Sequence, residues 1–433
     1  MPKRKSKKQP RTAPKPRKRP PKPAAKRRKR HAKEKAAWTF LVYMAGDNSL
    51  DPDGVRDLKE MKRVGSTPQV HVVVQFDRAQ GHKAKRYYIR KGGKVNADAV
   101  ASVGKIDTGD PKSLTEFVRW AVQKYPAERT ILVLWNHGQG WDDTDIYADE
   151  RFARFRPLAS GPIRHALFHT PVRETLAKAR SSAVLRAILL DDNAKDFLDN
   201  QEMKKAVAAA ANALKHKVDI LGMDACLMSM IEVGYQLRDG VQFTVGSEET
   251  EPLEGWPYAT ILQSLTKHPE MTARELSTLI VSKYLASYPH DAVTQSACDL
   301  SRVDALTTAV NGLAQAMTSG LSDPAVRDRL LVARTKVQSY EVRDNIDLID
   351  FCELVRDVMP ANVIGQHCQH VIDAARAYVV TQGAKDASMQ GSRGVAIYFP
   401  TQRVSPLYPK LDFSVKTGWD NFLTLYLEAV VRR

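Results

Sequence analysis

The stretch "ILVLWNHGQGWDD", Ile131 to Asp143, begins as a continuous apolar run and ends in a histidine set between an asparagine and a glycine. An unbroken apolar run of this length, stopped by a polar turn, suits a strand covered on both faces. Gly138 and Gly140 let the backbone beyond it approach a ligand closely, because glycine has no side chain in the way. That makes His137 a candidate for chemistry. A lone histidine at a strand end is more often a hydrogen-bonded structural residue, so the candidacy depends on a partner elsewhere in the chain.

Outward from this stretch the pattern alternates. "WTFLVYMAG" (38–46) reads as a strand, "DPDGVRDLKEMKRVG" (51–65) as a helix that starts among acids and stops at Gly65, and "VHVVVQF" (70–76) as a second buried strand. "KRYYIRK" (85–91) is more polar and is expected near a sheet edge. "SLTEFVRWAVQKY" follows, with Ser113 and Glu116 spaced as a capping box, and leads into the strand at Ile131. Strand, helix, strand in this rhythm predicts an α/β fold with a mainly parallel central sheet and helices on both faces. Residues 150–196 break the rhythm with many arginines and prolines and read as an insertion. Asp199 and Glu202 then cap a strong helix, and "VDILGMDAC" follows as a strand. From about Tyr258 onward the chain is helix-rich. The expected organisation is a core over 37–300 and a helix-rich region over 301–433 that completes the fold.

"GMDACLMS" (222–229) repeats the architecture of the opening stretch: an apolar strand that ends in reactive residue types. In a parallel sheet the strand C-termini share one edge, so His137 and Cys226 can meet despite their distance in sequence. A helix predicted from Leu227 would place Cys226 at its N-terminus, where free N–H groups favour a thiolate. A thiolate beside an imidazole is an activated nucleophile. On an alternating strand Asp224 points to the same side as Cys226. Cys298, Cys352 and Cys368 fall in strand and helical patterns without comparable neighbours and read as core residues.

The net charge of +17 looks like a nucleic-acid signature until it is located. Residues 1–36 hold 18 of the 66 basic residues and one of the 49 acids, so the rest of the chain is balanced. This segment has almost no large apolar side chain and is expected to be disordered. A polybasic tail of this kind suits nucleic acid, anionic surfaces or acidic partners, by charge alone. No apolar core follows it, so it is not a secretory signal, and a cytoplasmic location is expected, with secretion by another route left open. No apolar run approaches 18 residues, which excludes a membrane-spanning helix. The four cysteines show neither zinc spacing nor a disulfide framework.

"LVYMAGDNSLD", "LVLWNHGQGW", "DILGMDACLMSMIEVGYQL" and "GSEETEPLEGWPY" resemble the clostripain family of cysteine peptidases, which share the caspase-like fold. The resemblance covers most of residues 38–260. It implies a monomeric endopeptidase that cleaves peptides and proteins after Arg or Lys. Cys226 would attack the scissile carbonyl, His137 would shuttle the proton, and the N–H groups of Gly138 and Cys226 would hold the oxyanion. Asp224 matches an acid at the floor of the pocket for the residue preceding the cleaved bond (P1). Glu248, Glu249, Glu251 and Glu254 are candidates for a second acid there, with Glu248 favoured, and Trp256 is a candidate lining residue. The resemblance also implies a zymogen that cleaves itself between His137 and Cys226, where the 150–196 insertion offers Arg151, Arg154, Arg164, Arg173, Lys178, Arg180 and Arg186. No cofactor is required. Some members depend on calcium, which stays an option here although the chain shows no EF-hand-like loop. The alternative is a catalytically inactive caspase-like protein that binds nucleic acid or acidic partners through its tail.

Overall fold

The computed structural model describes residues 35–79, 81–142, 188–191, 194 and 196–431, and residues 35–433 group as one compact unit. The tail over 1–34 and the insertion between Asp143 and Arg186, with its candidate cleavage sites, lie outside the described residues.

A nine-stranded sheet organises the unit. In chain order its strands are β1 (Ala36–Gly46), β2 (Val70–Arg78), β3 (Ala84–Tyr88), β4 (Ala99–Gly104), β5 (Ala127–Trp135), β6 (Val218–Asp224), β7 (Val241–Gly246), β8 (Thr294–Asp299) and β9 (Val379–Ala384). They lie in the spatial order β9-β8-β7-β6-β5-β1-β2-β3-β4. The five central strands are parallel. β3 and β4 at one edge, and β8 and β9 at the other, run antiparallel to their neighbours.

β1 shows why the sheet is buried on both sides. Leu41, Tyr43 and Ala45 enter one apolar cluster and Trp38, Phe40, Val42 and Met44 the other, so its two-residue period feeds two cores. Helices α1 (Asp51–Val64), α2 (Pro111–Lys124), α3 (Asn200–Leu214), α4 (Ile231–Leu237), α5 (Tyr258–Lys267) and α6 (Ala273–Ser287) cover the faces. Apolar residues of α1, α5 and α6 fill the second core, and those of α2, α3 and α4 fill the first. α1 carries Asp51 and Asp53 in its first turn and ends at Gly65, whose φ of 73° is left-handed. A Cβ at Gly65 would stand 2.2 Å from the Lys91 nitrogen, so a larger residue is excluded there on two counts.

α3 starts on the expected capping box of Asp199 and Glu202. α2 does not start on Ser113. Asp110 accepts from the Lys112 N–H and Pro111 takes the first turn, which places Ser113 inside the helix. "GVAIYFP" does form a strand, Ala396–Tyr398, but it pairs with Asn345–Asp347 in a separate two-stranded ribbon. The C-terminal region supplies β9 to the main sheet, and its remaining helices extend the first core. No helix among the described residues is long and apolar enough to cross a membrane.

Candidate active site

β5 and β6 are adjacent and in register, with Trp135 opposite Asp224 and the Asn136 N–H donating to the Asp224 carbonyl at 3.3 Å. His137 and Cys226 therefore each follow a matched pair by two residues, at the same rim of the sheet. The turns touch closely: a Cβ at Gly138 would stand 2.7 Å from the Cys226 carbonyl oxygen and 2.9 Å from the Ala225 Cβ. Gly138 is required by this approach of one backbone to the other. Asn136 anchors the histidine turn by donating from Nδ2 to the Ala45 carbonyl and accepting at Oδ1 from the His137 N–H. Ser49 Oγ lies 3.4 Å from His137 Nε2. Among the described residues, no acceptor meets the N–H of Gly138 or of Cys226. Two backbone donors left open beside a thiol are what an oxyanion site needs.

Cys226 differs from expectation in one respect. The next helix, α4, starts at Ile231 and not at Leu227, so no helix N-terminus faces the sulfur. Met228 and Ser229 run extended to Met230 because Ser229 donates to the Ser247 carbonyl at 2.8 Å and Leu227 to the Glu249 carbonyl at 3.2 Å. Leu227 takes a left-handed φ of 63° to make this bend. The strand stops at Asp224, so the bend, and not strand alternation, aims the thiol. Burial pushes the Cys226 thiol up to about 12, and the carboxyls of Glu251, Glu249 and Asp224 add to the rise. The Glu251 N–H, which donates to Sγ at 3.3 Å, pulls the other way.

Asp224 is 5% exposed and faces the side of the sheet covered by α1, α5 and α6. Its Oδ2 accepts from the Tyr258 hydroxyl at 2.7 Å and the Trp256 N–H at 3.4 Å. Gly255, with φ 61°, passes so close that a Cβ there would lie 3.1 Å from Oδ1. The acid that joins Asp224 is Glu251. The Glu251 carboxyl lies against that of Asp224, and burial lifts both: Asp224 to about 6 and Glu251 well above the usual carboxylate range. Gln295 Nε2 donates to Glu251 Oε1 at 3.1 Å, while Glu251 Oε2 and Gln295 Oε1 are buried without partners. Asp57 on α1 lies near, pushed up to about 9 by burial and then by Asp224, and accepts from Trp135 Nε1 at 2.8 Å.

Glu248 does not join this group. Its carboxyl turns into the interior, where Oε1 accepts from the Tyr340 hydroxyl at 2.7 Å and Oε2 from the Gly394 N–H at 3.1 Å. Trp256 is fully buried with its ring on Gly222, so it backs the pocket from beneath and does not line it. Sequence reasoning also gave no role to Ser49, Asp57, Tyr258 or Gln295. Ser49 lies within the quoted "DNSLD" and Tyr258 closes the quoted "GSEETEPLEGWPY", but Asp57 and Gln295 occupy ordinary helix and strand patterns and carry no local signal. Among the described residues, no group of three or more His, Cys, Asp or Glu is arranged to hold a metal ion.

A mainly parallel α/β sheet with a histidine and a cysteine just beyond neighbouring strand ends is an arrangement compatible with a thiol hydrolase. Residues 42–154 and 175–426 match the clostripain family, and the chain belongs to that family of cysteine peptidases. It is 24% identical over 225 residues to clostripain of Hathewaya histolytica, a match spanning 47% of this chain and 36% of that protein. Its fold is similar to that of a secreted C11 cysteine protease from Bacteroides thetaiotaomicron solved with an irreversible peptide inhibitor (TM-score 0.63, 20% identity, 89% of this chain and 99% of the other). It is also similar to an inactive zymogen C11 protease from Parabacteroides distasonis (TM-score 0.59, 18% identity, 88% and 98%). The secreted status of the first of these corrects the expectation of a cytoplasmic location, since the lack of a recognisable signal no longer assigns the chain there. The family match passes over residues 155–174, inside the arginine-rich insertion.

Proposed function

We propose that the protein is an endopeptidase that cleaves after Arg or Lys, with Cys226 as nucleophile and His137 as general base and acid. The observation that supports this reading is the β5–β6 register, which ends with Trp135 opposite Asp224 and brings the turns that carry His137 and Cys226 to one rim of the sheet, with Gly138 against the Cys226 backbone. His137 takes the thiol proton as sulfur attacks the carbonyl, then donates it to the leaving amine and later activates water. The N–H groups of Gly138 and Cys226 take the charge on the carbonyl oxygen. Asp224, with Glu251, receives the P1 cation by charge-assisted hydrogen bonds.

Self-cleavage within the 150–196 insertion is part of the same proposal. Its support is the basic residues there and the kinship with a protease that is described as a zymogen. Incubating wild type and Cys226→Ala side by side, with sequencing of new N-termini, tests it. Identical intact bands from both would count against it. For the catalytic reading, the test is hydrolysis of an Arg-aminomethylcoumarin peptide: wild type is expected to turn over and Cys226→Ala to lose activity by about 10³-fold or more. Equal hydrolysis by both proteins would end the assignment of Cys226.

A further inference from the structure

Glu251 touches both halves of the site. Its side chain pairs with Asp224 and accepts from Gln295, and its backbone N–H donates to the Cys226 sulfur. The same residue thus stands at the floor of the P1 pocket and against the nucleophile. Among the described residues, three buried polar groups around it meet no hydrogen-bond partner: Glu251 Oε2, Gln295 Oε1 and the hydroxyl of Tyr284, with Gln295 and Tyr284 both fully buried. Orphan acceptors beside a carboxyl pair are places for donors that the folded chain does not supply.

The charges facing this pair come from few elements. α1 contributes Arg56 and Asp57, α5 contributes Tyr258, and α6 contributes Tyr284 and Tyr288. Glu249 faces the sulfur from the same loop as Glu251. Arg56 is the one cation acting on Asp224 among these, and it is committed to Asp53 at 2.6 Å and to the Leu253 carbonyl. Among the described residues, the surroundings of this pair are therefore richer in acid than in positive charge.

We propose that Glu251 couples occupancy of the P1 pocket to the nucleophile, so that a cationic side chain entering beside Asp224 is what allows the Cys226 thiol to ionise. The inference rests on the proposed P1 role of Asp224. Physically, a guanidinium or ammonium group placed between the carboxyls cancels the negative field that holds the proton on sulfur. The proton then passes from Sγ to His137, and the Glu251 N–H keeps its hydrogen bond to the thiolate formed. A substrate with a neutral P1 residue binds without this help, so specificity appears in kcat as well as in KM.

The test uses the active wild-type enzyme and small probes. Alkylation of Cys226 by iodoacetamide is followed across pH by mass spectrometry of the peptide that contains it. Methylguanidinium serves as the P1 cation and methylurea as its neutral isostere. Methylguanidinium is expected to compete with an Arg-aminomethylcoumarin peptide and to speed alkylation at pH 7 by about tenfold, equal to a one-unit fall in the thiol midpoint. Methylurea is expected to do neither. In Glu251→Gln the acceleration should shrink to about twofold, with kcat for the Arg peptide lowered more than KM is raised.

Competition without acceleration in wild type overturns the coupling and leaves the P1 assignment standing. The same acceleration in Glu251→Gln shows that the coupling does not run through Glu251. If methylguanidinium fails to compete with the substrate, the P1 reading and the coupling fall together. The wild-type measurements decide the first and third outcomes without any variant having to fold.

Discussion

Two buried carboxyl pairs flank the segment 247–251, and they differ in how completely the protein satisfies them. In the pair Glu248–Asp347 every oxygen meets a donor: the Tyr340 hydroxyl and Gly394 N–H on Glu248, and the Asp350 and Arg393 N–H groups, at 2.7 and 2.6 Å, on Asp347. In the pair Asp224–Glu251, Glu251 Oε2 has no partner, and the Gln295 oxygen next to it has none either. Both pairs are lifted above the ordinary carboxylate range by burial. Perturbed titration alone therefore does not mark the functional one. Hydrogen bonding separates them: the first pair is closed by donors from the fold, and the second, on the function proposed above, keeps an acceptor open for a ligand.

The comparison can be broken most directly at Asp224. Asp224→Asn is expected to lower kcat/KM for Arg and Lys peptides on the order of 10³-fold, since it removes one partner of a desolvated charge pair, with the fold retained. A loss of similar size on peptides with neutral P1 residues would mean that Asp224 serves the fold and not the pocket. Gly138→Ala comes next. The added methyl collides with the Cys226 carbonyl at 2.7 Å, and the displaced turn should cost about 10²-fold in kcat. An unchanged kcat would separate the two turns from the chemistry.

The closed pair is tested by stability. Glu248→Ala should lower unfolding free energy by about 2–4 kcal/mol in a denaturant titration, through lost contacts and an unmet Gly394 N–H, with peptide specificity unaltered. Glu248→Gln sharpens this through pH. Glu248 binds its proton more tightly folded than unfolded, and Asp347 beside it is raised to about 6. Their contribution is therefore full below the unfolded value of about 4 and fades as pH rises through about 6 and beyond. Melting curves of wild type should fall over that range more steeply than those of Glu248→Gln. Equal slopes would remove the pair from the account. Ser49→Ala is the smallest change: a 3.4 Å contact to His137 Nε2 is weak, and a two- to fivefold loss in kcat is expected, with an altered pH profile.

Much of this arrangement was legible in the chain. The apolar runs of β1, β2, β5 and β6 announced strands covered on both faces, and two such runs ending in His137 and Cys226 announced the rim where they meet. Local spacing misplaced the starts of α2 and α4, because Asp110 with Pro111 outcompetes Ser113, and hydrogen bonds to Ser247 and Glu249 hold the chain after Cys226 extended. The choice among four glutamates was not local at all. Glu251 is fixed beside Asp224 by Gln295, and Glu248 is drawn away by Tyr340 and Gly394, residues 44 to 146 positions distant.

Sequence by itself determined the α/β architecture and the strand ends on which His137 and Cys226 stand, since hydrophobic period and strand-end composition are written in neighbouring residues. Tertiary structure alone decided which acid lies beside Asp224, that burial raises the Cys226 thiol, and which donors each buried carboxyl meets. Those properties follow from desolvation and from distances between segments far apart in the chain, and no stretch of neighbouring residues contains them.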